Sequence, residues 1–437
     1  MRNPEMISRD ETKFMKIVIC NYRYFITGGP ERYMFSLSSL LESKGHDVIP
    51  FSVGYSRNRK TRYSEYFMKP PGKPDQVYYS EMDLSVLQKL RAASNAVYSF
   101  EAKKKLEKLI RDERPDIIQT LQIHTVLSYS LIDAAKKYDI PIVCRMSNYQ
   151  LMCPAEHFLR ESEPCEECMK SLFCAIKHRC VQGSLAASSL RTASLWLHNF
   201  KGTFDKVNFF IVPSMFLRGK MIENGYPENR VVHVPSFLNT DEFEPSYEPE
   251  DYIVYFGRIA VEKGVPDLIK AFHRIDTNKK LILVGNYENP EGARVMKLIE
   301  DYSNRNIEFI GYKSLPEIKR IVRKAIFSIC PSIWYENTPN NIYESFALGT
   351  PVIASRLGSM QEQVEDGRTG LLFESGNADD LRSKLEYLLN NADEAISMGK
   401  NARAHVERYH SAEMHYTRLK SIFDQATSGK TVEREAC

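Results

Sequence analysis

Glu336 and Glu344 stand eight positions apart in the run Cys330-Pro331-Ser332-Ile333-Trp334-Tyr335-Glu336-Asn337-Thr338-Pro339-Asn340-Asn341-Ile342-Tyr343-Glu344, which connects two apolar stretches. Pro339 suits the start of a helix and Gly349 its end. The spacing therefore predicts one carboxylate on a loop and one on a helix. The helix dipole favours acidic side chains near a helix start, so Glu344 needs no ligand to explain it, but Glu336 does. Arg258 and Lys263, in Gly257-Arg258-Ile259-Ala260-Val261-Glu262-Lys263-Gly264, bring two cations to the loop after another apolar run. Arginine grips a phosphate bidentately and lysine acts as a point charge, each charge-assisted hydrogen bond contributing roughly 1.5–3 kcal/mol. Such a pair suits a phosphate or another anionic ligand. The plainer alternative is a surface arginine and a helix-end lysine paired with Glu262.

The elements that must hold these groups follow from the pattern of apolar runs. Met15–Cys20, Asp47–Phe51, Asp116–Ile118, Pro141–Cys144, Phe209–Pro213 and Val231–Val234 read as strands, with helices after Gly28-Gly29 and over Thr125–Lys137. Beyond a Pro-, Asp-, Glu- and Ser-rich stretch the alternation restarts, with strands at Tyr252–Phe256, Leu281–Val284, Ile307–Ile310, Ile326–Cys330, Pro351–Ala354 and Gly370–Phe373. Helices are predicted over Asp379–Asn390, Ala395–Arg408 and Ala412–Ala426. Continuous apolar strands between amphipathic helices predict α/β architecture with parallel sheets covered on both faces. Two such halves, 15–235 and 251–408, are joined by a linker at 236–250 and followed by a final helix at 409–426. Ligands are expected at the carboxyl ends of the strands.

With 437 residues the chain is long enough for two or three domains. A formal charge of +3, with acids and bases interspersed, announces no nucleic-acid surface. The basic, aromatic stretch from Arg57 to Lys73 is the local exception; it reads as a solvated loop, with an anionic headgroup or phosphorylated acceptor as the alternative. Met1–Phe14 has no apolar core of a signal peptide, and no run approaches the ~18 apolar residues of a spanning helix. With nine cysteines and no export signal, a reduced cytoplasmic setting is expected. Thr427–Cys437 reads as a frayed tail.

Glu336 and Glu344 together resemble the E-x7-E signature of the retaining glycosyltransferases of family 4, and Gly257–Gly264 resembles that family's segment of Arg, Glu-Lys and Gly. The resemblance covers roughly 15–426. It implies a GT-B fold, two doubly wound Rossmann-like domains facing across a cleft, with the last helix crossing back to the first. It also implies a nucleoside-diphosphate sugar as donor: Arg258 and Lys263 on the pyrophosphate, Glu344 on the ribose, Glu336 with the Asn340–Asn341 backbone on the sugar, and Tyr312 beside the base. Gly28-Gly29-Pro30-Glu31 resembles the family's Gly-Gly-x-Glu loop against the donor phosphate and acceptor. Since no G-x-G-x-x-G is present, a dinucleotide cofactor is disfavoured. No Asp-x-Asp occurs either, so activity without a divalent metal or other cofactor is expected.

The chain departs from this pattern in its first half. Where many members carry a histidine after the strand matching Pro141–Arg145, Met146-Ser147-Asn148 stands, and Ser147 can offer a sugar hydroxyl a hydrogen bond only. Histidines of the preceding strand appear as Gln119 and Leu121, with His124 nearby. Cys153, Cys165, Cys168, Cys174 and Cys180 cluster with His157 and His178 in an insert near 150–200, a feature of one subgroup of the family. Cys165-x-x-Cys168 has zinc-ligand spacing, but a single such pair favours thiols without metal over a structural zinc. Leu185–Phe200, with Trp196, reads as an amphipathic helix for core or domain surface, a membrane-facing side being the alternative.

The expected function is transfer of a hexose-type sugar, with retention, to a saccharide or lipid-linked saccharide acceptor in bacterial polysaccharide, O-antigen or capsule synthesis, at or near the inner face of the membrane. The alternatives are a catalytically impaired relative acting as a scaffold of a polysaccharide-assembly complex, and a different GT-B enzyme such as an epimerase or phosphorylase.

Overall fold

A computed structural model describes residues 14–77, 82, 84–287, 290–302 and 306–428. The leader at 1–13 and the tail at 429–437 lie outside the described residues. The described residues divide into two compact units: 14–144 with Gly202–Asn208 and 423–428, and Arg145–Lys201 with Phe209–Ile422.

In the first unit, β1 (Lys16–Cys20), β2 (Asp47–Phe51), β3 (Ile117–Thr120) and β4 (Ile142–Arg145, its last residue in the second unit) run parallel in the order β2-β1-β3-β4. Nearly all their residues are buried, as expected of strands covered on both faces. Their connections carry α1 (Gly29–Ser43), α2 (Val86–Val97), α3 (Phe100–Glu113) and α4 (Ser130–Lys137). The helix predicted from Thr125 begins only at Ser130, because Ser128 takes a left-handed φ of 59°. Ser128 Oγ there accepts the Ser99 and Ser130 amides at 2.9 and 3.2 Å.

The second unit opens with a short antiparallel pair, β5 (Leu159–Arg160) and β6 (Glu163–Pro164), and with α5 (Glu167–Lys170), α6 (Cys174–Lys177) and α7 (Leu185–Phe200). Next come the parallel pair β7 (Phe209–Val212) and β8 (Val231–His233), with α8 (Met215–Glu223) between them. Its main sheet contains β9 (Tyr252–Phe256), β10 (Lys280–Val284), β11 (Ile307–Phe309), β12 (Ser328–Cys330), β13 (Val352–Ser355) and β14 (Gly370–Phe373), in the order β11-β10-β9-β12-β13-β14. Helices α9 (Val265–His273), α10 (Pro290–Asp301), α11 (Leu315–Val322), α12 (Asn340–Ala347), α13 (Met360–Gln363), α14 (Ala378–Asn390), α15 (Ala392–Tyr409) and α16 (Ala412–Ser428) complete the chain. Ile253, Leu268, Phe272, Leu283 and Leu385 lie in one apolar layer, and Val254, Ile342, Phe346 and Ala402 in another.

The strand order reverses between β9 and β12, which are hydrogen-bonded neighbours although β10 and β11 separate them in sequence. At such a switch point the helices that follow the two strands, here α9 and α12, pack on opposite faces of the sheet and leave room for a ligand at the strands' carboxyl ends. β12 begins two residues later than the apolar run from Ile326 suggests.

Residues 236–250 are irregular apart from a turn at Thr240–Glu242, yet they are held in place. Arg403 of α15 donates to the carbonyls of Phe243 at 2.7 Å and of Ala347. His410 and His415 bond the Ser236 and Pro235 carbonyls at 3.0 and 2.8 Å.

Candidate active site

The loop after β9 leaves the sheet at Gly257 and ends at Gly264, whose φ of 70° is left-handed. A Cβ at Gly264 would lie 1.8 Å from the Pro331 carbonyl oxygen, so glycine alone permits this approach to the loop after β12. Gly285 is under the same constraint, since a Cβ there would lie 1.8 Å from the Gly257 carbonyl oxygen. The Ile333 amide donates to the Glu262 carbonyl at 3.0 Å and fixes the two loops side by side.

This approach brings Lys263 to Glu336. Lys263 Nζ lies 2.5 Å from Glu336 Oε1, and Ser332 Oγ donates to the same oxygen at 2.8 Å. Burial alone would raise the Glu336 carboxyl; the Lys263 ammonium and these hydrogen bonds overcome it and hold the group below the usual carboxylate value. Lys263 Nζ also stands 5.0 Å from the centre of the Trp334 ring. Arg258 is 47% exposed at its side chain and pairs with Glu262 at 2.6 Å. Both cations are thus paired with a carboxylate, Lys263 with Glu336 and the more exposed Arg258 with Glu262, and Arg258 keeps the greater access to an anion from solvent.

On the other side of Glu336, α12 begins after Pro339 and ends before Gly349, whose φ is 75°. Asn341 Nδ2 reaches the Phe256 carbonyl at the end of β9 at 3.4 Å. Glu344 is buried on this helix, and Asn340 and Asn341 are half-buried at its start.

The insert also contributes. Tyr149, buried, donates its hydroxyl to the Glu336 carbonyl at 3.2 Å, and Ser359 Oγ donates to the same carbonyl at 2.8 Å. Asn337 Nδ2 donates to the Met146 carbonyl at 3.1 Å, one residue before the half-buried Ser147. The His157 ring stands 6.1 Å from that of Trp334, and burial pushes the imidazole below its ordinary value. The sequence by itself does not assign a role to Tyr149, Ser332, Trp334 or Ser359. Ser332 and Trp334 lie within the run that holds Glu336, whereas nothing local marks Tyr149 or Ser359.

The structure therefore gathers Arg258, Lys263, Glu336, Asn340, Asn341 and Glu344 on two loops and one helix start, with Ser147 next to a residue bonded to that cluster. Tyr312 is 75% exposed, directly after Gly311 on the loop following β11, and the Gly311 carbonyl accepts the Gly285 amide at 3.0 Å. Gly28 and Gly29 lie in the first unit, where Gly28 caps α1 with an extended backbone and Thr27 Oγ1 donates to the buried Glu31 at 3.0 Å.

Cys153 and Cys168 are hydrogen-bonded through their thiols, and that bond, with amides of Phe158, Ala155 and His157, holds the Cys153 thiol down to about 7. Cys165 and Cys180 stand close enough to raise Cys168 further through their charge, and Cys174 opens α6. Among the described residues no group of three or more His, Cys, Asp or Glu side chains is arranged to hold a metal ion.

Residues 237–405 match the family model for glycosyl transferases group 1, and residues 27–146 match that for glycosyltransferase family 4. An uncharacterized glycosyltransferase of Methanocaldococcus jannaschii is 32% identical over 216 residues, 48% of this chain and 58% of that protein. The capsular polysaccharide biosynthesis glycosyltransferase CapM of Staphylococcus aureus is 25% identical over 222 residues, 49% of this chain and 58% of its own length. Each match thus spans less than two thirds of the relative. The Anabaena protein HepE, solved with UDP and glucose, superposes with a TM-score of 0.64 at 15% identity over 94% of this chain and 100% of its own, a likeness of fold. The two parallel sheets, with 27–146 and 237–405 each matched by a glycosyltransferase model and with HepE as a structural neighbour, give this chain the α/β GT-B fold of two Rossmann-like domains.

Proposed function

We propose that the protein transfers a hexose-type sugar from a nucleoside-diphosphate sugar to a saccharide or lipid-linked saccharide acceptor, with retention and without a divalent metal or other cofactor, in the assembly of a bacterial surface polysaccharide. The observation that carries this reading is the buried Lys263–Glu336 pair beside the exposed Arg258, at the strand-order switch of the second unit. Arg258 and Lys263 take the pyrophosphate, whose negative charge grows as the glycosidic bond breaks. Glu336, kept ionised, accepts from sugar hydroxyls together with the α12 start, and Glu344 takes the ribose. Ser147, Gly28 and Gly29 belong to the acceptor side, and Tyr312 to the base. CapM is named for capsular polysaccharide biosynthesis and HepE was solved with UDP and glucose, which favour this class of donor and product. Among the described residues no helix is long and apolar enough to cross a membrane.

The test is release of nucleoside diphosphate from UDP-, GDP-, ADP- and CDP-sugars, with and without saccharide acceptors. One base should support turnover that survives chelation and drops in Lys263→Ala and Glu336→Gln, with product of the donor's anomeric configuration. Turnover lost on chelation and restored by magnesium would sink the metal-free part. Neither turnover nor nucleotide binding with any donor would favour the scaffold alternative, which the substitution of family histidines by Gln119 and Ser147 keeps in play.

A further inference from the structure

Between Cys153 and Gln182 the insert has little regular structure to hold it: β5 and β6 are two residues each, and α5 and α6 four. Apart from cysteine, the buried apolar side chains from 155 to 182 are Phe158 and Ala175. Among the described residues nine non-glycine residues take a left-handed φ, and six of them lie between Glu156 and Gln182. Such conformations persist only where the surroundings over-determine them, and a segment so poor in core commonly needs cross-links.

The thiols are placed to supply one. Cys153 and Cys168 are hydrogen-bonded to each other, and Cys165 and Cys180 stand near enough to raise Cys168 by their charge. Within the pair one sulfur is the nucleophile and the other keeps the proton: the Cys168 thiol, with the amides of Phe158, Ala155 and His157, holds Cys153 down to about 7, whereas Cys168 is pushed up. A thiolate lying against a second thiol is the arrangement of an oxidisable cysteine and its resolving partner. Each member is also joined by hydrogen bonds to the loop that carries Glu336. The Cys153 amide donates to the Tyr149 carbonyl at 2.9 Å, and the Tyr149 hydroxyl donates to the Glu336 carbonyl at 3.2 Å. Glu166, two residues before Cys168, accepts the Tyr335 hydroxyl and pairs with Lys220 at 2.7 Å. We propose that Cys153 and Cys168 form a reversible disulfide, made by a peroxide and broken by a dithiol, which shifts the Glu336 loop and thereby weakens nucleotide binding. The effect on the nucleotide rests on the function proposed above; the disulfide and the loop shift do not.

The Cys153 thiolate attacks the O–O bond of hydrogen peroxide, becomes a sulfenic acid and releases hydroxide, which is protonated to water. The Cys168 sulfur then attacks the Cys153 sulfur, the S–O bond breaks, and the hydroxyl leaves with the Cys168 proton as a second water. Two electrons pass from the two sulfurs to the peroxide. Dithiothreitol returns them by thiol–disulfide exchange and becomes a cyclic disulfide. Both sulfurs belong to buried residues, so a small uncharged oxidant is the class that reaches them.

The experiment treats the reduced full chain with hydrogen peroxide, alkylates the remaining thiols and maps cross-linked peptides by mass spectrometry. A Cys153–Cys168 disulfide is expected, reversed by dithiothreitol and retained in Cys165→Ser with Cys180→Ser. In Cys168→Ala the reaction should stop at the Cys153 sulfenic acid, which dimedone captures. With Trp196→Phe, Trp334 is the one tryptophan left, and its emission should change on oxidation and recover on reduction. Oxidation should weaken binding of whichever of UDP, GDP, ADP and CDP the reduced protein takes by about fivefold or more, the lower end of ordinary coupling between sites. No disulfide, a disulfide between other cysteines, stoichiometric zinc held by these thiols, or a Cys153–Cys168 bond that leaves Trp334 emission unchanged overturns the proposal. Failure of all four diphosphates to bind the reduced protein counts against the function proposed above, whereas the cross-link and the Trp334 emission are read without nucleotide.

Discussion

Lys263 Nζ sits 2.5 Å from Glu336 Oε1, joining the loop after β9 to the loop after β12. The side chains are 20 and 10% exposed, so each charge depends on the other. Lys263→Ala should lower stability by about 3 kcal/mol, near the lower end of the cost of stranding one member of a buried pair. Adding Glu336→Gln should restore much of that loss because no charge is then left buried. Urea unfolding of the two single variants and the double variant measures this; strictly additive losses would refute the coupling.

Arg258 is half exposed but its partner Glu262 is buried, so Arg258→Ala leaves a buried carboxylate without its partner and should cost about 1–3 kcal/mol of stability. If it grips the donor pyrophosphate, affinity for the nucleoside diphosphate should fall at least about tenfold, the lower end of a lost charge-assisted hydrogen bond. Calorimetric titration beside thermal unfolding separates the two effects.

Gly264 and Gly225 both have left-handed φ angles, 70° and 90°, but only at Gly264 would a Cβ meet the backbone of another loop. Gly225→Ala should cost about 1–2 kcal/mol, the backbone penalty alone. Gly264→Ala should cost distinctly more and abolish nucleotide binding, because Pro331 must move and Glu336 with it. Equal melting temperatures for the two variants would contradict the tight approach of these loops.

His233, His410 and His415 predict an acid-sensitive second unit. Burial is the main cause in each, pushing His233 and His410 down to about 4 and His415 to about 3 from 6.5. The unfolded chain therefore takes up these protons first. The stability they confer is complete above pH 6.5 and is lost as pH falls through the window from 6.5 towards 4, by up to about 1.4 kcal/mol per pH unit for each histidine. The guanidinium midpoint should drop between pH 7 and pH 5, and less so in His410→Asn, which keeps a polar group near the Ser236 carbonyl.

The sequence by itself determined the alternation of buried strands and helices, the restart of that alternation near Tyr252, and the cation loop and carboxylate run, because these are local patterns of apolar period and turn residues. Where local patterns misled, a single backbone conformation was responsible, as at Ser128, whose φ of 59° delays the start of α4. Only the tertiary structure decided that residues 263 and 336 meet. That contact follows from the pairing of β9 with β12, which reverses the strand order, and from Gly264, which lets the loop after β9 touch the loop after β12. Tyr149 beneath Glu336 and the meeting of Cys153 with Cys168 were likewise settled by packing, since which side chain reaches a distant loop and which thiols touch depend on neighbours that no sequence window contains.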